Sequence, residues 1–476
     1  MANLLSLLRS SSNTLNVYDQ VLAVTQNNVA NASTPGYAKQ ELTLEAMPFD
    51  LGTGAIGGVT AGQVQSARDE FAETAVRREA LSYGYAQQSV ASLTNLNSLF
   101  DVTGQSGISS ALNTLLQSFS AWGQSPTDNN ARSAVIDAAG QLASAFQQTA
   151  NGLANLRADT ETQVNQTVTQ VNALVGQLRD LNARQMANAT SDPSADALKH
   201  SLLEQLSQYV DFTAINQKDG TVSVLMNGQT PLLLEDKQYQ ISASLVAPTD
   251  PTYAAGPRSM AILASDGTDI TAKSTAGQLG SLLNLHNTVL PTYIGDSYQP
   301  GDLNRMAKQF ADRVNTLLQS GYQIDGTTQG VALFQYDTTD DTQVASSLTV
   351  DSTVTASQLA ALDPGPPTVA NGIPLALSAL ASPTSSDDKI DGVSYSAFFG
   401  ALAGRAGTAL SQAQNDQDVE QSALAQAKSI RDQASGVSLD EEAMIVVQFE
   451  RAYEANSKLI TVLDQLTQDT INMLQP

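Results

Sequence analysis

Two histidines, His200 and His286, are the only imidazoles that could act as general bases or metal ligands near neutral pH, and they stand in separate helical segments. Carboxylates cluster at 337–341 (DTTDD), at Asp387 and Asp388, and at Asp440, Glu441 and Glu442. Grouped carboxylates can share a proton or hold a hard cation. The first two clusters lack EF-hand spacing and read as solvated loops. The third falls in the first turn of a predicted helix, where the helix dipole favours negative charge. No H-E-x-x-H, phosphate-binding glycine loop, G-x-S-x-G or dinucleotide fingerprint occurs. Cysteine is absent, which removes disulfides, thiolate metal sites and thiol nucleophiles. These residues predict no catalytic group, no metal site and no cofactor.

The elements that carry these residues are patterned for packing. Two apolar stripes repeat every seven residues at opposite ends of the 476-residue chain. At the front, Leu8, Leu15, Leu22 and Val29 share one heptad position, while Leu4 and Tyr18 share a second with the polar Ser11 and Thr25. At the back, Ile445, Ala452, Leu459, Leu466 and Met473 repeat, flanked by Phe449 and Leu463. A narrow period-seven seam is what a helix needs to wind around another, so the two ends are predicted to pair. Ser438 and Glu441 form a capping box ahead of the last stripe, and an unbroken helix from there would run on the order of 50 Å.

After the first stripe, Pro35 and Gly36 suit the central positions of a type II turn, with Thr34 pushed toward extended geometry. Leu42 and Leu44 alternate as in a short strand, and the glycine-rich 51–62 reads as loop or irregular β structure. Helical signals return over 68–100 and 108–122. They continue in a long stripe from Val135 through Leu142, Phe146, Leu153, Val164 and Val171 to Leu178. Asp192 before Pro193 caps another helix. From Phe212 the period becomes two, with Asn227-Gly228 and Asp266-Gly267 as hairpin turns. Helix resumes from Gly277. The segment 363–383, with Pro364, Pro366, Pro367, Pro374 and Pro383, reads as surface loop or linker, and a further helix is predicted over 395–433.

The fold predicted is mainly α with a β-rich insertion: paired terminal coiled-coil helices, a long helical bundle and a small outward β domain. Its parts would be 1–60 with 436–476; 61–210 with 276–346 and 395–435; and 211–275 with 347–394. Aromatic content of 5% favours slender helical packing over a thick aromatic core. The formal charge of −24 argues against nucleic acid and anionic membranes as partners. No cleaved signal peptide and no apolar run of membrane-spanning length is read in the sequence. Taken alone, that reads as cytoplasmic.

The segment 27–40, NNVANASTPGYAKQ, closely resembles the signature shared by axial proteins of the bacterial flagellum: rod, hook and hook-associated proteins. Asn27, Asn28, Asn31, Thr34, Pro35, Gly36 and Tyr37 carry the motif. The final region 435–474 resembles the C-terminal helix of the same group, notably at Phe449, Ala452, Tyr453, Ala455, Asn456 and Ile460. Within the group, GQLGSLLNLHNTVLPTY, LNRMAKQFADRVNTLLQSGYQIDG and SGVSLDEE resemble the hook-associated protein 1 family in order and position. About half the chain is covered. The modest length between Phe212 and Lys273 departs from the pattern and leaves little room for a large extra outer domain.

The resemblance implies a structural, non-enzymatic component that assembles helically as a short ring or tube at the junction of hook and filament. Paired terminal helices would line the inside and the β part would face outward. It also implies export by the flagellar type III apparatus without signal cleavage, an extracellular location and an export chaperone at the C-terminal region. Its neighbours would be further copies, the hook protein, and a second junction protein or the flagellin side of the filament. The candidate assembly residues are Leu8, Leu15, Leu22, Val29, Ile445, Phe449, Ala452, Leu459, Leu463 and Leu466. Because short, partly polar seams are marginal in isolation, the terminal helices are expected to order on incorporation. Another axial protein, hook or distal rod, is the nearest alternative; a secreted coiled-coil adhesin is the alternative from a different class.

Overall fold

The computed structural model describes residues 2–50, 55–100, 106–187, 192–365 and 368–474. Positions 51–54 of the glycine-rich stretch, and Pro366 and Pro367, lie outside the described residues. The chain opens with helix α1 (Ala2–Asn31) and a two-stranded antiparallel ribbon, β1 (Gln40–Ala46) against β2 (Val59–Ser66). Helices α2 (Glu70–Asn97), α3 (Gly107–Gln124), α4 (Asn129–Ala187) and α5 (Pro193–Ser207) follow. Local chemistry sets their starts. Asp69 accepts the amides of Phe71 and Ala72 at the head of α2, and Asp192 accepts the Ser194 amide ahead of Pro193 at the head of α5.

The period-two region folds as expected. Strands β3 (Phe212–Asn216), β4 (Val222–Met226), β5 (Thr230–Leu234) and β6 (Lys237–Gln238) make one antiparallel sheet in chain order. Asn227 and Gly228 both have positive φ, 48° and 67°, as a type I′ hairpin turn requires. A second pair, β7 (Ser242–Leu245) and β8 (Met260–Leu263), lies beyond it. Helix α6 (Gly277–Asn284) then passes through a π-helical turn, Leu285–Val289, into α7 (Leu290–Ile294), and α8 (Asp302–Ser320) follows. Two long helices close the chain: α9 (Tyr395–Ser435) and α10 (Leu439–Leu474).

Burial divides between two main cores threaded by α4, whose 59 residues span about 90 Å at the standard rise. The first core gathers Trp122, Phe119, Phe146, Phe310 and Tyr395 with α4 positions from Val135 to Leu156. The second packs Val164–Leu178 of α4 with α5, α6 and the strands. A small third cluster, Val76 and Ala80 against Leu424 and Ala427, joins α2 to α9.

Residues 347–394, expected with 211–275 to make a β-rich outer part and loops, are mostly loops and turns, and they pack inward. Among the described residues they hold one two-residue strand, short 3₁₀ turns and a helix, Gly372–Ser378. Leu348, Leu359, Ile373, Leu377 and Ile390 are buried in the first core. The prolines hid an apolar set at uneven spacing, so a segment read as linker is a wall of the core. Among the described residues no helix is long and apolar enough to cross a membrane.

Candidate assembly interface

The terminal helices pack as an antiparallel pair. Asn456 Nδ2 donates to the Ser11 carbonyl at 2.8 Å, the Tyr18 and Phe449 rings meet edge-on at 5.4 Å, and Asn28 Nδ2 donates to Glu442 at 3.2 Å. Partner numbers fall on one helix as they rise on the other. The buried line of α1 is Ser11, Val17, Val21, Thr25 and Asn28. Thus the polar heptad position containing Ser11, Tyr18 and Thr25 faces the partner helix. The leucines of the other line sit on its margin: Leu8, Leu15 and Leu22 are half-buried and Val29 is exposed.

On α10, Leu463 is buried and Ile445, Phe449 and Ala452 are half-buried, while Leu459 and Leu466 are each about half exposed, at 48% and 49%. Further apolar side chains stand open beside them, including Met444, Val462 and Met473. At about 100° per residue Met444, Leu459, Val462, Leu466 and Met473 fall within about 60° of one another, so they make a long apolar margin along α10. Contiguous exposed apolar surface of this kind marks an interaction site.

The motif 27–40 closes the base of the pair. Thr34 and Tyr37 form a turn through the Tyr37 amide and Thr34 carbonyl at 3.1 Å, and Gly36 has φ of +75°, the type II geometry. Its carbonyl accepts from Arg68 Nη2 at 2.7 Å. A Cβ at Gly36 would lie 2.3 Å from the Ala197 carbonyl of α5, so the turn docks against the body where only glycine fits. Asn31 bonds back to Asn27 and accepts from the Thr34 hydroxyl at 3.1 Å, which terminates α1.

Asn28 occupies the centre of the node. Its Oδ1 accepts the Gln40 amide at 2.9 Å and the Tyr37 hydroxyl at 3.0 Å; its Nδ2 also donates to the Gln40 carbonyl at 2.9 Å. Glu442 is fully buried, with Lys39 Nζ 3.8 Å from one carboxylate oxygen. Burial, then the charge of Glu442, raises the Tyr37 hydroxyl above its usual pKa. Burial alone would lower Lys39, but the Glu441 hydrogen bond and the surrounding carboxylates outweigh it and raise the ammonium. The Lys39 amide donates to the Ser435 carbonyl, and Ser435 Oγ accepts from the Asp69 amide, both at 2.9 Å. One polar knot therefore ties α1, β1, α2, α9 and α10.

Beneath it lies a second group. Arg68 bridges Glu73 and Asp196, with Lys199 3.0 Å from Asp196. On the other side Glu204 holds Lys428 and Arg431 at 2.8 and 2.7 Å. His200 is buried among these charges with no hydrogen-bond partner on either ring nitrogen. Burial first, then the Arg68 guanidinium, lowers its pKa from 6.5 to about 3 against the pull of Asp196. A buried neutral imidazole flanked by fixed ion pairs is an anchor, and it has no nucleophile beside it.

Sequence reasoning named Asn28, Gly36 and Tyr37 but missed Lys39, Arg68, Asp196, Ser435 and Glu442. In the sequence Glu442 reads only as a helix-dipole charge in the first turn. Arg68 carries no periodic signal, since its partners are 5 and 128 residues away in sequence. Asp341 and Asp388 are ion-paired to Lys308 and Arg313 at 2.7 Å, and no group of three potential metal ligands occurs among the described residues.

Comparison with known proteins places this geometry. Residues 93–334 match the helical domain of flagellar hook-associated protein FlgK, and residues 431–473 match the C-terminal domain of flagellar basal body rod FlgEFG proteins. Flagellar hook-associated protein 1 of Bacillus subtilis is 27% identical over 98% of this chain and 97% of its own length. That of Salmonella typhimurium is also 27% identical, over 67% of this chain and 58% of the relative. The flagellar hook junction protein FlgK from Burkholderia pseudomallei shares the fold, with a TM-score of 0.61 at 15% identity, covering 75% of this chain and 99% of that one.

Proposed function

This chain belongs to the FlgK family of flagellar hook-associated proteins, and on that premise we propose that it is a structural component of the junction between flagellar hook and filament, assembled helically through its terminal helices. The apolar margin of the α1–α10 pair carries the assembly reading. In a single copy, Leu459, Leu466, Val462 and Met473 are open to water. Neighbouring copies that cover them would recover about 25 cal/mol for each Å² of apolar surface.

The polar knot has a matching role. By fixing the pair to the body through Asn28, Glu442, Lys39 and Gly36, it sets the angle at which the apolar margin is offered. Heterologous contacts repeated without closure generate a helical array. The neighbours of that array are further copies, the hook protein, and a second junction protein or the flagellin side of the filament. An export chaperone engages the C-terminal region, whose exposed apolar side chains need cover before assembly. The protein acts outside the cell, exported without signal cleavage. The role is structural and non-enzymatic, as for the hook-associated family to which the chain belongs.

Deletion of the gene tests the reading. Hooks without filaments, with flagellin lost to the medium, are expected; filaments of normal length on the deleted cells would overturn it. Truncated or missing hooks would instead favour a rod or hook role, to which the match of residues 431–473 also extends.

A further inference from the structure

The two main cores meet at a polar waist. Core one uses α4 up to Leu156, and core two takes it up at Val164. Between them, Arg157, Thr160 and Glu161 of α4 share this level with His286 and Asn287 in the π-helical turn of the facing helix. Leu279, Leu282 and Leu283 before that turn belong to core two, while Leu285 and Leu290 belong to core one. A π turn carries an extra residue, and such insertions recur at functional positions. It brings consecutive residues, His286 and Asn287, into the same waist, although neighbours on a regular helix point about 100° apart.

The bonding is closed and directional. The Asn287 amide grips Met260 of β8 as a strand would: Oδ1 accepts the Met260 amide and Nδ2 donates to its carbonyl, both at 2.8 Å. That fixes the orientation of the side-chain amide. His286 Nδ1, 2.8 Å from the same Oδ1, must then carry the proton and donate. Its Nε2 lies 3.2 Å from Arg157 Nε. Arg157 Nη2 donates onward to the Arg258 carbonyl at 2.7 Å and stands 3.2 Å from Glu161 Oε1. Glu161 Oε1 lies 3.0 Å from His286 Nε2 as well, so this ring nitrogen is held between the guanidinium and the carboxylate. The His286 side chain has no solvent exposure.

We propose that Asn287, His286 and Arg157 are positioning residues: a polar latch that fixes the angle between the β-bearing core and the helical core around their shared helix α4. Apolar side chains here would merge the two cores while leaving their relative rotation loosely specified. Directional bonds to the backbone of 258 and 260 select one rotation. Thr160 marks the same level on α4, its hydroxyl bonded to the Leu156 carbonyl at 2.7 Å, a contact that eases bending of a helix. The same kind of bond recurs along α4 at Ser144, Thr162, Asn165 and Thr169, so the π turn of the facing helix is what distinguishes the level of the latch.

The chain has no cysteine, so two introduced cysteines label cleanly. Spin labels at Thr316→Cys in α8 and Asp236→Cys in the β5–β6 turn read the distance between the cores. In the labelled full chain, Asn287→Leu is expected to broaden the distance distribution about twofold, with helix content retained. Arg157→Lys, which keeps the charge but cannot reach both His286 and Arg258, should broaden it in the same direction and keeps the test open if Asn287→Leu fails to fold. Distributions as narrow as the parent's in folded variants would overturn the proposal. So would lower thermal stability with an unchanged distribution, the mark of a merely stabilising network.

Discussion

Lowering the pH from 7 toward 4.5 should loosen the docking of the motif turn on α5, and His200 should account for most of the loss in that window. The folded-state pKa of His200 is about 3, against an ordinary value of 6.5. The imidazole is therefore neutral in the fold and protonates only in the opened chain. Its contribution is complete above pH 6.5 and is lost as the pH falls through the window toward 3. Each pH unit inside the window costs about 1.4 kcal/mol for one proton. At pH 4.5 the loss would be roughly 2 to 3 kcal/mol, and 4 to 5 kcal/mol if the whole window were traversed. Carboxylates held low by their partners, such as Asp196 and Glu204, begin to add acid sensitivity only as the pH falls through their ordinary range, from about pH 5 downward, so most of the window is left to His200. Hydrogen exchange of peptides spanning 32–40 and 193–207 measures local opening at pH 7, 5.5 and 4.5. The protection free energy of the parent should fall with that slope, and His200→Gln, which cannot charge, should flatten it. Equal slopes in parent and variant would refute the assignment.

Gly36→Ala should destabilise the same docking by about 2 to 4 kcal/mol, from left-handed strain and a methyl driven at the Ala197 carbonyl, read as earlier loss of protection over 32–40. Leu459→Asp with Leu466→Asp should leave the melting of the isolated monomer within about 0.5 kcal/mol, because both side chains are half exposed, yet prevent polymerisation measured by light scattering or electron microscopy. Leu463→Ala differs: it should weaken the α1–α10 pair itself, by about 2 kcal/mol, seen as faster exchange along both helices. Phe146→Ala, at a fully buried position of the first core, should cost about 3 to 5 kcal/mol in urea unfolding without altering exchange of the terminal pair.

Much of the fold was legible because it rests on local periodicity. The α4 stripe, the Asp192-Pro193 start and the Asn227-Gly228 hairpin each declare themselves within a few residues, and each forms where expected. What the sequence hid depends on partners distant along the chain. Ile373, Leu377 and Ile390 lie among prolines and turns with no period, so their place in the first core is visible only once α3, α4 and α8 are assembled. The terminal pair shows a subtler limit. Heptad leucines are the conspicuous signal, but the seam is chosen by hydrogen bonds from Asn28 and Asn456 and by the Tyr18–Phe449 ring contact. That turns Leu8, Leu15 and Leu22 to the margin. Of the motif, the turn at Pro35 and Gly36 was readable from residue type, whereas the buried carboxylate of Glu442 that it meets was not.

Trp122, the sole tryptophan, is completely buried in the first core. Its fluorescence is thus a private reporter of that half of the molecule. Melting of the second core or fraying of the terminal pair would pass without a change in indole emission, while far-ultraviolet ellipticity, dominated by the long helices, would register both. A transition seen by circular dichroism at lower denaturant than the tryptophan transition would therefore be the optical signature of two cores that unfold as separate units.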